Sequence, residues 1–466
     1  MTCAQVLTAA QMRAAEQALF DAGTSVMDLM ELAAGGAAEW IRRIAAGRSV
    51  TVLCGPGNNG GDGYVIARRL SEAGNAVRVV APLAPATEAA RTARERWGRA
   101  VETGQGAGAC AAGGVLVDCL FGSGLTRSLS HEHRDLLAEL AAHHQISVAV
   151  DLPSGIATDS GAVLNEGLPH YHLTLALGAW KPAHWSLPGR LMMGQLRLVP
   201  IGIGPVAVAA QLIERPQIEP PPAESHKYLR GLLGIVTGAM PGASLLAARA
   251  AQGAGAGYVK LLARQPDPRT PPDIVTETAT LEQALADPRL RAVLIGPGLG
   301  RDARSRALLE GALEDAPALV LDADALMLLA PAMLSRKVPM LATPHDGELK
   351  SLAQAYGVKQ KSRQERALAL AQASGMVVLA KGPDTLVTAP DGRLALAPPA
   401  PTWLSVAGTG DVLAGIAASR MAAGRDPFTA ACEAVWLHGA AARRCGPAFS
   451  PTQLAQQVAP ALAACR

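Results

Sequence analysis

Apolar positions in the first half of the chain come in short runs, each closed by Gly, Pro or Asp: SVTVLCG, AVRVVAP, VLVDCLFG, ISVAVDLPSG, LTLALGAWK and QLRLVPIG. Segments rich in Ala, Arg and Glu and of helical length separate them. Fully apolar short runs alternating with helical segments predict parallel strands buried on both faces and joined by helices. Ahead of the first run, Thr8 and Gln11 have the spacing of a capping box, and Met12, Ala15 and Leu19 fall on one helical face. A helix is therefore expected before the first strand.

Between Ile203 and His226 the alternation stops and prolines accumulate, which marks a boundary. We divide the chain into residues 1–212, a Pro-rich linker 213–228, and residues 229–466. Beyond the linker the pattern resumes with LLGIVTG, AVLIGPG, ALVLDAD, VPMLATPH and MVVLAKG, so a second α/β domain is expected. The uncharged stretch from Gly231 to Ala248 is broken by Gly234, Gly238, Pro241 and Gly242, and reads as strand, loop and helix rather than a membrane span.

Composition narrows the partners. The 466 residues carry 42 basic and 39 acidic side chains, interspersed, for a net charge of +3. Neither nucleic acid nor an anionic membrane is an expected partner. Cys3, Cys54, Cys110, Cys119, Cys432, Cys445 and Cys465 are scattered, without a CxxC pair, and the N-terminus lacks the layout of a signal peptide. Reduced thiols and a cytoplasmic location are expected.

In a parallel sheet, ligands lie beyond the carboxyl ends of the strands. CGPGNNGGDG stands at the end of the first run, where glycines allow positive φ and close backbone approach, and a helix N-terminus would face an anion. It has neither the dehydrogenase spacing nor the Walker lysine. DCLFGSGLTR and DLPSG each begin with a carboxylate at a strand end. Asn58, Asn59, Asp118 and Ser154 would offer only hard oxygen ligands, suited to an alkali or alkaline-earth ion. The alternative is that Asp62, Asp118 and Asp151 simply cap turns or helices.

These three motifs, in this order, resemble the epimerase domain that repairs hydrated NADH and NADPH, over about residues 8 to 205. The resemblance implies a Rossmann-like three-layer fold, an isomerase activity on the R and S hydrates, and a bound potassium ion. It places Asn58, Asn59, Gly60, Gly61 and Asp62 against the hydrate, with Gly122, Ser123, Gly124, Leu125, Thr126, Arg127 and Ser128, and with Asp151. Asn59, Asp118 and Ser154 would hold potassium. The hydrated carbon adjoins the ring nitrogen, so its hydroxyl can leave with nitrogen assistance and water can return to either face. Asp151 is our choice for relaying the proton. Lys181, in GAWKP, is expected to be a solvated strand-end lysine, with assistance to that chemistry as the alternative.

In the second domain, AGTGDVLAG places small residues at a helix N-terminus, where free amides can hold a transferring phosphoryl group beside Asp411 as base. IGPGLG, LDADAL, TPHDGEL, KGPDT and GTGDVLAG together resemble the ADP- or ATP-dependent dehydratase of the S hydrate, over about residues 224 to 460. That family has a ribokinase-like fold and lyase activity: phosphoryl transfer turns hydroxide into phosphate, which is eliminated. Ala243, Gly300, His345 and Asp411 would contact the hydrate. Lys381, Gly382, Pro383, Asp384, Thr385 and Gly410 would contact the adenine nucleotide, and the amides of Gly408 to Gly410 would stabilise the phosphoryl charge. ADP is the expected co-substrate, with ATP as the alternative and Mg2+ accompanying the nucleotide. A homo-oligomer stays open. The competing reading is a vitamin or sugar kinase with an N-terminal ligand-binding or protein-interaction module.

Overall fold

The computed structural model describes residues 5–103, 113–334 and 338–465; Cys3 and Cys110 lie outside the described residues. The chain divides into two compact units, Met1–Ala210 and Gln211–Arg466.

In the first unit the apolar runs become strands of one parallel sheet, in the order Val77–Val80, Val50–Cys54, Gly113–Cys119, His144–Val150, Leu173–Leu177 and Gln195–Val199. Val50–Cys54 and Gly113–Cys119 are buried along their whole length, as their unbroken apolarity requires. One face of the sheet packs its valines against Met12, Ala33, Ala37, Ile41 and Ile66 of the preceding and following helices. Leu53 and Leu116 on the other face meet Leu136, Leu137 and Leu140 of the helix His131–Ala142. Three layers result, and the strands' carboxyl ends are left for loops. The first helix, Ala9–Asp21, begins at the expected capping box between Thr8 and Gln11.

The glycines of the first loop meet one half of the sequence expectation, close backbone approach, and not the other, positive φ. None of Gly55, Gly57, Gly60, Gly61 or Gly63 has a positive φ. Gly60 and Gly55 serve close approach: a Cβ on Gly60 would lie 1.8 Å from the Gly55 carbonyl oxygen, and one on Gly55 would lie 1.7 Å from that of Leu120. Positive φ instead marks the GPGLG loop, at Gly296, Gly298 and Gly300. Gly60→Ala is expected to lower the stability of the first unit by about 1–3 kcal/mol or more, since backbone must move to admit one methyl. Urea unfolding followed by the tryptophans of that unit measures it.

The second unit is built on the same logic. Its parallel strands Val275–Glu277, Tyr258–Leu262, Leu232–Val236, Leu290–Ile295, Leu319–Leu321, Met340–Ala342 and Val377–Ala380 are neighbours in that order. An antiparallel hairpin, Leu386–Thr388 and Leu394–Leu396, extends the sheet. Gln211 and Leu212 then pair with Ala395 and Leu396, so the proline-rich segment starts from a strand of this sheet. Gly231 to Ala248 forms strand, loop and helix, as expected. No helix among the described residues is long and apolar enough to cross a membrane. Both units are α/β with largely parallel sheets, the fold class read from the sequence.

Candidate active sites

The first site gathers where the strands of the first sheet end. Asp151 follows His144–Val150 with φ at 66°, a left-handed conformation that costs a non-glycine residue about 1–3 kcal/mol. The carboxylate is held from every side: Oδ2 accepts from the Ser123 amide at 3.0 Å, and Oδ1 accepts from the Leu177 amide at 3.4 Å and from the Lys181 ammonium. His184 Nε2 meets the Asp151 carbonyl at 2.9 Å. Lys181 is 1% exposed and Asp151 6%. The solvated lysine expected from GAWKP is therefore overturned, because the turn Pro182–His184 folds it inward onto Asp151 and the Leu177 carbonyl. Burial pushes the Asp151 carboxyl up, yet Lys181 and the hydrogen bonds outweigh it and hold it below the usual range.

A cavity of about 920 Å³ opens above this ion pair. Asn58, Asn59, Asp62, Asp151 and Lys181 line it, as does the whole loop Gly122 to Ser128. Gly60 and Gly61 do not: they pack against Gly55 and Met30. Glu16 and Arg13 of the first helix complete the wall. Sequence reasoning missed both, since the apolar spacing of that helix gives no sign of them. Burial raises the Glu16 carboxyl, with Lys181 opposing and Asp151 adding to the effect.

Asp118 and Ser154 lie beneath the cavity, both fully buried. Asp118 Oδ1 accepts from the Leu120 amide at 3.0 Å and the Ser154 hydroxyl at 2.8 Å; Oδ2 accepts from the Ser154 amide at 3.0 Å and the Tyr171 hydroxyl at 2.5 Å. Asp118 is thus the hub of a buried polar network that also fixes Phe121 through Ser154. Tyr171 is a member that sequence reasoning did not find. Asn59 abuts the same loop, where a Cβ on Gly122 would come within 3.0 Å of its Cγ. Both polar atoms of the Asn59 side-chain amide are buried without a hydrogen-bond partner. A buried amide left unpaired costs about 1–3 kcal/mol.

The second site forms in the same way at the strand ends of the second sheet. Helix Thr409–Ala422 starts after Gly408, whose φ of 96° turns the chain and which supplies no side-chain cap. The Thr409 amide is engaged by the Val406 carbonyl at 3.3 Å, which removes it from the Gly408 to Gly410 set expected to meet an anion, and the Gly410 and Asp411 amides follow it in the first turn. Burial, helped by Asp322 and opposed by Lys381, raises the Asp411 carboxyl to about 6.

Lys381 Nζ donates to Asp322 Oδ1 at 2.6 Å and lies 4.0 Å from Glu348 Oε2. A Cβ on Gly410 would stand 3.4 Å from that ammonium. Asp322 also accepts from the Thr343 hydroxyl at 2.7 Å. Neither Asp322 nor Glu348 was assigned a role from sequence, although both sit in quoted motifs. His345 caps the helix Asp346–Ala355: its Nδ1 accepts from the Gly347 amide at 2.9 Å and its imidazole stays exposed. A bridge between His345 and Lys381 sets them side by side.

Gly382 to Thr385 form a closed turn in which the Thr385 hydroxyl donates to the Gly382 carbonyl at 2.6 Å, and Arg363 grips Asp384 at 2.9 Å. Gly300 donates its amide to Asp324 at 3.0 Å. Ala243 lies in the first turn of Pro241–Gly253, joined to the GPGLG loop through Ser244 and the Pro297 carbonyl at 3.1 Å. The positions named from sequence for this half therefore come from loops and first helical turns that follow strands of one sheet.

Two α/β units, each with buried carboxylates and a lysine gathered at its strand ends, define an enzyme with two chemical centres. The model for the NAD(P)H-hydrate dehydratase family matches residues 233–463, and that for the YjeF-related protein N-terminus matches residues 26–183. The bifunctional NAD(P)H-hydrate repair enzyme of Gloeobacter violaceus is 36% identical, over 94% of this chain and 93% of its own. Its counterpart in Escherichia coli is 32% identical, over 90% and 85%. A solved ADP/ATP-dependent NAD(P)H-hydrate dehydratase from Bacillus subtilis, co-crystallised with ATP and Mg2+, is 27% identical over 54% of this chain and 95% of that one, with a TM-score of 0.47. The chain belongs to the family of bifunctional NAD(P)H-hydrate repair enzymes, an epimerase domain followed by a dehydratase domain.

Proposed function

We propose that the first unit interconverts the R and S hydrates of NADH and NADPH, and that the second dehydrates the S hydrate at the expense of an adenine nucleotide. The observation that carries the reading is the pairing of two complementary centres in one chain: a cavity holding Asp151 beside buried Lys181, and a helix N-terminus holding Asp411 beside Lys381. A dehydratase specific for one epimer would strand the other, so joining it to an epimerase makes the repair complete.

In the epimerase unit, the loop Gly122 to Ser128 with Asn58, Asn59 and Asp62 would embrace the hydrate, and Asp151, kept ionised by Lys181, would accept a proton there. The unpaired Asn59 amide fits a potassium ion shared with Asp118 and Ser154 through hard oxygens. Potassium bound there would supply positive charge to orient the substrate and the loop around it.

In the dehydratase unit, Asp411 would take the proton of the hydrate's hydroxyl as it attacks the phosphoryl group. The Gly410 and Asp411 amides and Lys381 would hold the phosphoryl oxygens, and Gly382 to Thr385 the rest of the nucleotide. Elimination of phosphate then restores the reduced cofactor. We take ADP as the nucleotide, with Mg2+, and Ala243, Gly300 and His345 as further contacts to the hydrate. The described cysteines are all free thiols, in keeping with work in the cytoplasm.

The test is an assay of the full chain with mixed NADH hydrates. Complete recovery of reduced-nicotinamide absorbance with ADP, including the R fraction, is expected. Recovery of the S fraction alone removes the epimerase half, and recovery of neither with ADP or ATP removes the dehydratase half.

A further inference from the structure

The cavity of the first unit holds two buried carboxyl groups under opposite restraint. Asp151 is fixed by Lys181, Ser123 and Leu177. Asp62, 9% exposed, lines the same cavity and makes no hydrogen bond or ion pair among the described residues. Aspartate is seldom buried without a partner, because its ionised form loses several kcal/mol of hydration. A capping role does not account for it: the helix Asn58–Glu72 is capped at Gly57 without a side chain, and Asp62 sits a turn further in.

The charged and titratable groups facing Asp62 are Asp151 and Lys181 at the strand ends, Glu16 on the first helix, and Cys119 on the strand below. Burial, reinforced by Asp151 and Glu16 and opposed by Lys181, holds its carboxyl well above the ordinary range. An acid that keeps its proton and a neighbour that has lost one are the two partners a hydroxyl-for-water exchange needs.

We infer that Asp62, the untethered carboxyl of the cavity, is the proton donor to the departing hydroxyl of the hydrate, with Asp151 as the acceptor. This rests on the epimerase reading of the first unit. In the first step the C–O bond breaks and its electron pair stays with oxygen, which takes the Asp62 proton and leaves as water. The ring nitrogen's lone pair forms a C=N bond to the same carbon. In the second step a water adds to the opposite face, the C=N pair returns to nitrogen, and Asp151 accepts the surplus proton. One water leaves carrying the Asp62 proton and one enters and gives its surplus proton to Asp151, and exchange with solvent resets both carboxyl groups. The reverse reaction uses the pair in exchanged roles, as a reversible epimerisation demands.

The experiment uses the full chain, separated R and S hydrates of NADH, and water enriched in oxygen-18. Asp62→Asn should lower kcat for R-hydrate consumption by about 100-fold or more, with KM within about threefold. Dehydration of the S hydrate by the same variant should match wild type, and uncatalysed epimerisation is subtracted throughout. A kcat near wild type, or a loss confined to KM, overturns the assignment. Wild-type enzyme supplies a readout that needs no folded variant. Without nucleotide, oxygen-18 should enter the hydrate once per epimerisation, and epimerisation without uptake means that the hydroxyl never leaves, which also overturns it. Wild-type enzyme that dehydrates the S hydrate but never converts the R hydrate refutes the epimerase reading itself.

Discussion

Asparagine in place of Asp411 is expected to slow nucleotide-dependent dehydration of the S hydrate by about 10²–10⁴-fold, the range supplied by a positioned general base. The substitution keeps the shape of the first helical turn and removes only the proton acceptor. The R and S hydrates should still equilibrate, since that chemistry lies in the other unit. The wild-type pH profile carries the same information. Burial and the neighbouring Asp322 raise this carboxyl to about 6, so the ionised form that accepts a proton prevails above that value and is lost as pH falls through it. Dehydration should therefore decline below about pH 6, and what activity Asp411→Asn retains should lack that acid limb. Initial rates of absorbance recovery between pH 5 and pH 8 test both statements.

The second large effect concerns the ion pair under the epimerase cavity. Lys181→Met should destabilise the first unit by about 3–5 kcal/mol, because it leaves the Asp151 carboxylate buried without its cation. The sign of the accompanying pH change follows. Burial alone raises the Asp151 carboxyl and Lys181 is the largest opposing influence, so removing the lysine moves that carboxyl upward. Epimerisation that depends on ionised Asp151 should then need a higher pH. Urea unfolding of the full chain should show an earlier transition for the first unit alone. Unchanged stability would mean that the lysine is solvated after all.

The contrast between these two centres shows what the sequence made legible. Asp411 was readable because everything that makes it reactive lies within a few residues: small side chains, a helix start and a carboxylate in the first turn. The strands and their loops were readable for the same reason, as apolar runs closed by Gly, Pro or Asp. Lys181 was misread because its burial is decided by how a short turn packs against a loop thirty residues earlier in the chain. Tyr171 reaches Asp118 across 53 residues, and Glu16 enters the cavity from a helix whose local pattern records only its apolar face. The hairpin Leu386–Thr388 and Leu394–Leu396 escaped notice because strands of three residues leave too little alternation to register. Function by motif was thus visible, while the groups that tune it depend on long-range contacts.

The stack of Gly60 on Gly55 and of Gly55 on Leu120 also bears on how this loop can change over time. At Gly61 the atoms in the way of a methyl are first those of the Met30 side chain, at 2.5 and 2.9 Å, and a smaller residue at position 30 could make room. At Gly60 and Gly55 the obstacle is main chain, which every residue shares. A genetic screen for second-site suppressors should therefore rescue a Gly61 defect through position 30, yet return only true revertants for Gly60 and Gly55. These two glycines are evolutionary dead ends for compensation, whatever happens to the residues around them.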